Sequence, residues 1–174
     1  MPSNDEAATR VFEPGELDWI EKHGIENLKG RIGTADILAK EAATTLTVLL
    51  AGAGGARAYA AKLLDEGASR GTVAASTAAV WLTFLAMLLV FRCLKIDAIP
   101  TVYNQPGQLM GRHTAGRSLE TWREAELKNI EARIEDARIR NDKMASRLNI
   151  VRMLAALTPV LSGVAAGLYI VSGH

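Results

Sequence analysis

The side chains best suited to chemistry in this chain are cations. Arg133, Arg138, Arg140, Lys143, Arg147 and Arg152 rise along one segment toward an uncharged block that begins at Met153. Guanidinium and ammonium groups gathered at the edge of an apolar span bind phosphate oxygens well. Arg140, Lys143, Arg147 and Arg152 are therefore candidate contacts for anionic lipid head groups, or for a soluble anion such as a nucleotide. Arg57 is the other cation of interest, because it falls inside an apolar block. It either carries its charge to the interface on a long stem or lines a polar pathway.

Other constellations lead nowhere. His23, His113 and His174 have no ligand spacing, and Cys93 is the only cysteine, so neither a metal site nor an intrachain disulfide is expected. "GAGGAR" at 52–57 lacks the third glycine of a dinucleotide fingerprint and follows no strand pattern. Helix packing accounts for those glycines. No phosphate-binding Walker loop and no G-x-S-x-G elbow occurs, and the carboxylates fall on faces where solvation explains them. The expectation is a non-enzymatic protein with no catalytic residues and no cofactor.

What must position the cations is helical and greasy. Hydrophobic residues make up 49% of the 174, but aromatics only 5%. The apolar content is Ala, Leu, Val and Ile gathered in blocks, whereas a soluble core of this size would draw more on aromatic rings. The net charge of +1 gives no global attraction for nucleic acid. About forty polar, acidic residues precede the first block, so no secretory signal is expected.

Three membrane spans are predicted. Thr72 to Phe91 is 20 residues without a charge, enough as a helix to cross ~30 Å of hydrocarbon. Met153 to Val171 is a second such block, after Arg152. The weakest begins at Ala42 and runs to about Leu64, meeting Arg57 and Lys62 on the way. Lys and Arg placement sets the orientation. Five precede the first span and twelve lie from Arg92 to Arg152, whereas the turn at 65–71 offers only Arg70. The N-terminus and the long connection should be cytoplasmic, with His174 outside.

Between the second and third spans, Pro100, Pro106, Gly107, Gly111 and Gly116 predict a loop over 99–116. A helix should start near 118, capped by Ser118 or by a Thr121–Glu124 capping box, and run unbroken into the third span with a kink at Pro159. Leu127, Ile130, Ile134, Ala137, Asn141, Met144, Leu148 and Val151 step by three and four, which is a heptad seam. Asn141 is the polar member. Either it is buried and fixes register, or it faces solvent where the seam is loose. Parallel self-pairing of this stalk would oppose Glu126 to Glu131 and Arg133 to Arg138. The N-terminal arm, with Ile25, Leu28, Ile32, Ala35, Ala39 and Ala42 in a stripe, is the better partner. Gly24, Gly30 and Gly33 weaken the arm, and Thr34 could cap a fresh helix. Carried into the membrane, the seam becomes Ala155, Thr158, Ser162, Ala165 and Tyr169. Gly163 and Gly167 beside it form a small-xxx-small motif.

The expected architecture is thus all-α, a three-span transmembrane protein whose cytoplasmic helical stalk packs on an N-terminal helical arm. Its parts are the arm at 1–41, two spans with a short external turn at 42–91, a loop at 92–117, the stalk at 118–152 and the third span at 153–174. Packing or self-association is assigned to Asn141, Met144, Leu148, Ser162, Gly163 and Gly167. The bilayer and further copies of the chain are the expected partners.

"TADILAKEAATTL" at 34–46, with Ala35-Asp36 and Lys40 before the first span, and "NDKMASRLNIVRML" at 141–154 before the last, carry a resemblance. Together with the order of spans, they resemble the small membrane effectors of bacterial anti-phage systems, the Pycsar-effector and SLATT-like families. The resemblance implies an inner-membrane assembly that damages the membrane when a nucleotide or protein triggers it through the cytoplasmic part. It supplies no catalytic residues. A holin-like lysis protein and a passive scaffold subunit share the same layout.

Overall fold

The computed structural model describes residues 14–94 and 119–172. Among these the chain is entirely helical, with α1 at Pro14–Asp65, α2 at Ser69–Cys93, α3 at Leu119–Ala156 and α4 at Thr158–Val171. The predicted loop at 99–116, the Ser118 cap, His113 and His174 lie outside the described residues. Two compact units can be distinguished, 14–33 with 119–139 and 34–94 with 140–172. The division falls within α1 and α3, so each of those helices contributes to both units.

α1 is a single helix of 52 residues. The fresh start expected at Thr34 is absent, and the helix passes through Gly24, Gly30 and Gly33 without a break. Each interior glycine costs about 1 kcal/mol relative to alanine, which burial on one face offsets. In the first unit Leu17, Leu28, Ile130 and Ala137 are buried. Gly24 has a positive use there, since a Cβ at that position would sit 3.1 Å from Ile130 Cγ2. The missing side chain lets α1 and α3 approach closely. The stripe on α1 also differs in one step from the expected one: Leu38, not Ala39, is turned partly inward.

α1 ends in a Schellman turn. The Ala68 N–H donates to the Leu63 carbonyl at 2.9 Å and the Gly67 N–H to that of Leu64 at 3.1 Å. Gly67 takes φ 71°, which only glycine adopts without steric cost. α2 starts two residues later, giving the tight antiparallel return that the short 65–71 segment requires.

The second unit has a core drawn from α1, α2 and α3: Ala42, Leu49, Leu85, Ala86, Leu89, Cys93, Leu148 and Val151. α2 also packs along α4. The inward face of α2 changes along its length, with Ala75 and Ala79 in the first half and Leu85, Ala86 and Leu89 in the second. Alanines allow close backbone approach, whereas leucines fill a wider gap.

α3 begins at Leu119, so Thr121 and Glu124 lie inside the helix and do not cap it. Nor does α3 run unbroken to the end of the chain. It stops at Ala156, and α4 sets off at 41° after a break at Leu157. Pro159 is the cause: it has no N–H for the Ala155 carbonyl, and its ring crowds that carbonyl. The disturbance therefore appears one turn before the proline. α4 has only 14 residues, about 21 Å of helix, so the third candidate span exists only as α4 together with the end of α3.

Candidate functional site

The Leu157 break frees backbone carbonyls in the most apolar part of the chain, where an unsatisfied group costs several kcal/mol. Three donors meet them. The Thr158 hydroxyl donates to the Ala155 carbonyl at 2.6 Å. The Leu157 N–H tightens onto the Leu154 carbonyl at 3.2 Å. The indole N–H of Trp81, from α2, donates to that same Leu154 carbonyl at 3.2 Å. Trp81 is in turn stacked with Phe84, ring centroids 5.8 Å apart, which helps hold the indole in place. Trp81→Phe keeps the ring and deletes the donor. It should destabilise the fold by about 1 kcal/mol, the scale of polar contacts between membrane helices. Equilibrium unfolding of the micelle-bound protein by a denaturing detergent measures it, and an unchanged midpoint would remove this bond from the account.

A second polar group collars one end of the second unit's core. Arg147 Nη1 donates to the Arg92 carbonyl at 2.8 Å, so an α3 side chain caps the C-terminus of α2. That terminus has orphan carbonyls and partial negative charge, which a guanidinium satisfies together. Five residues on, Arg152 Nη2 forms an ion pair and hydrogen bond with the Glu41 carboxylate of α1. Its Nε donates to Thr45 Oγ1 at 3.2 Å, and that hydroxyl donates to the Glu41 carbonyl at 2.8 Å. Arg152 thus holds Glu41 directly through its carboxylate and indirectly through its backbone. Both charged side chains are about half exposed, so this pair adds at most ~1 kcal/mol and serves mainly to fix the register of α1 against α3.

The remaining residues expected to matter divide by environment. Asn141 is buried, as are Leu148 and Val151, while Met144 lies against the core. Asn141 therefore does not face solvent. The Arg140 side chain is partly buried, with Nη2 shielded from solvent, and Lys143 is exposed. Arg57 is exposed. Ser162 is half-buried, but a Cβ at Gly163 or Gly167 would meet nothing within 4 Å. Among the described residues, those two glycines have no side chain packed over them. Glu41, Thr45 and Trp81 were not singled out from the sequence. Glu41 precedes the first uncharged stretch directly, but nothing local marks Arg152 as its partner.

In the first unit Arg123 of α3 pairs with Asp18 and, at 3.0 Å, with Glu21, both on α1. These hydrogen bonds, Asp18 first, hold the Arg123 guanidinium above its ordinary pKa. Glu135 receives two bonds from Arg138, at 2.7 and 2.9 Å, which push its carboxyl below the usual range, with help from the charge of Arg31. Arg133 approaches Glu126 at 3.9 Å. His23 donates to the Trp19 carbonyl at 2.8 Å and lies against the Trp19 ring. Among the described residues no three His, Cys, Asp or Glu side chains gather into a metal-binding group.

Among the described residues, fold and sites define a helical protein with two helices long and apolar enough to cross a membrane, or three if the bent α3–α4 pair counts as one span. No protein-family model, curated protein or solved structure matches the chain.

Proposed function

We propose that this chain is a non-enzymatic, self-associating protein of the bacterial inner membrane. It crosses three times, with the N-terminus and the 92–152 segment in the cytoplasm and the C-terminus outside. The observation that carries this reading is uncovered apolar surface. No residue of α4 is buried, and only 17% and 22% of the most apolar stretches of α1 and α2 are enclosed by the protein. Side chains such as Val80, Met87, Val164 and Leu168 are exposed on α2 and α4. Water would penalise that surface heavily, whereas lipid accepts it. Within lipid, close contact between helices comes from small residues, and Gly163 and Gly167 stand open on α4. The resemblance to anti-phage effectors extends the reading to a protein that disrupts the membrane when triggered through its cytoplasmic helices.

Cysteine cross-linking tests the association. In a Cys93→Ser background, Gly163→Cys and Gly167→Cys should give a dimer band several-fold stronger than Ala155→Cys, which packs against the chain's own core. Equal bands, or none in native membranes, would overturn self-association through this face. Induced expression with a potential-sensitive dye tests disruption, for which depolarisation is the expected result. An undisturbed potential, with and without phage, would leave the passive scaffold as the better description.

A further inference from the structure

We propose that Arg92, Lys143 and Arg147 form a binding site for the phosphate of an anionic phospholipid, an assignment that rests on the bilayer reading above. The 2.8 Å bond from Arg147 to the Arg92 carbonyl sets the end of α2 beside this turn of α3. Lys143 stands one turn before Arg147 on the same helix face. All three side chains are exposed and none forms a salt bridge among the described residues. The bond to the Arg92 carbonyl occupies one of five guanidinium N–H groups, and the α2 C-terminus offsets only about half a positive charge. Most of the charge of the three cations therefore remains, while Arg152 nearby is matched by Glu41. The only acid adjoining them in sequence is Asp142, a step of about 100° round the helix from Lys143.

The apolar neighbours select a lipid over a soluble anion. Phe91, next to Arg92, is 71% exposed, and Ile150, one turn beyond Arg147, is 51% exposed. Free phosphate would leave both rims uncovered. A phospholipid uses all of the surface, with its phosphate on the cations and its acyl chains along Phe91 and Ile150. A cation near an anionic surface contributes about fivefold in affinity.

The test uses the full chain in nanodiscs of mixed phosphatidylglycerol and phosphatidylcholine, with protein-retained lipid identified by mass spectrometry after mild delipidation. The wild-type chain should retain phosphatidylglycerol preferentially. Arg92→Gln/Lys143→Gln keeps the Arg147 cap and should lower that preference by about 25-fold at the per-cation factor above. Lys22→Gln/Lys29→Gln, which removes two cations from α1 in the first unit, should leave it unchanged. Equal preference in the first pair, or an equal loss in the second, would overturn the site. So would displacement of the lipid by millimolar inorganic phosphate, which would mark a soluble-anion site. Entry into pure phosphatidylcholine bilayers without any preference in mixed ones defeats this inference alone, whereas failure to enter at all defeats the bilayer reading with it.

Discussion

Leu89→Ala should weaken the fold by about 2 kcal/mol, the lower end of the range for buried leucines. Leu89 is fully enclosed, with Ala42, Leu85, Cys93, Leu148 and Val151 in the same core. In water the loss would include the transfer free energy of the deleted methyl groups. In a bilayer the separated helix is already solvated by hydrocarbon, so that contribution shrinks. The packing contribution stays, because the vacated space removes dispersion contacts that lipid cannot enter to replace. Two kcal/mol corresponds to nearly a thirtyfold change in the folded-to-unfolded ratio. Reversible unfolding in mixed micelles reads it directly. Phe91→Ala, two residues along the same helix but outward-facing, should shift the same transition by less than about 0.5 kcal/mol. If the larger loss came from Phe91, the inward face of α2 would be wrongly assigned.

The contrast between Leu89 and Phe91 also marks where the sequence is readable. Thr72 to Phe91 declares itself a candidate span by length and lack of charge, but an all-apolar block carries little information about which side faces protein. The α3 seam is the opposite case. Its apolar residues alternate with charges, so spacing alone picks out Ile130, Ala137, Leu148 and Val151, all of which are buried. Asn141 could not be decided from its own chemistry. It is buried, as are Ala137 and Leu148 on the same seam.

The continuity of α1 escaped for a different reason. Three glycines and a threonine in eleven residues look like a boundary when propensity is considered locally. Yet at Gly24 the feature that weakens the isolated helix admits Ile130. The polar contacts of the second unit were beyond reach altogether. Arg152 finds Glu41 from 111 residues away and Trp81 finds Leu154 from 73, and no periodicity within a helix specifies a partner on another. The proline, by contrast, announced the bend, though not the donors that make it tolerable.

Val80→Arg should produce the largest single effect, and its sign depends on the solvent around α2. Val80 lies near the middle of that helix and is 71% exposed. In water, an arginine at such a position would be nearly silent for stability and would improve solubility. At the centre of a bilayer the same change costs about 2.5–3.5 kcal/mol on insertion scales, roughly a hundredfold or more in the inserted fraction. Snorkelling offers little relief, because from mid-span the side chain is far from both surfaces. Arg57→Leu supplies the matched comparison. That arginine lies nearer the end of its span and is exposed, so removing it should raise insertion of the first span only slightly. Glycosylation or cysteine-accessibility mapping of the 65–71 turn measures both. Sharp loss of turn translocation with Val80→Arg, beside a small gain with Arg57→Leu, is the signature of helices solvated by lipid. Unchanged behaviour of the Val80 variant, with the chain recovered in the soluble fraction, would mean that the exposed apolar face of α2 meets something other than a membrane.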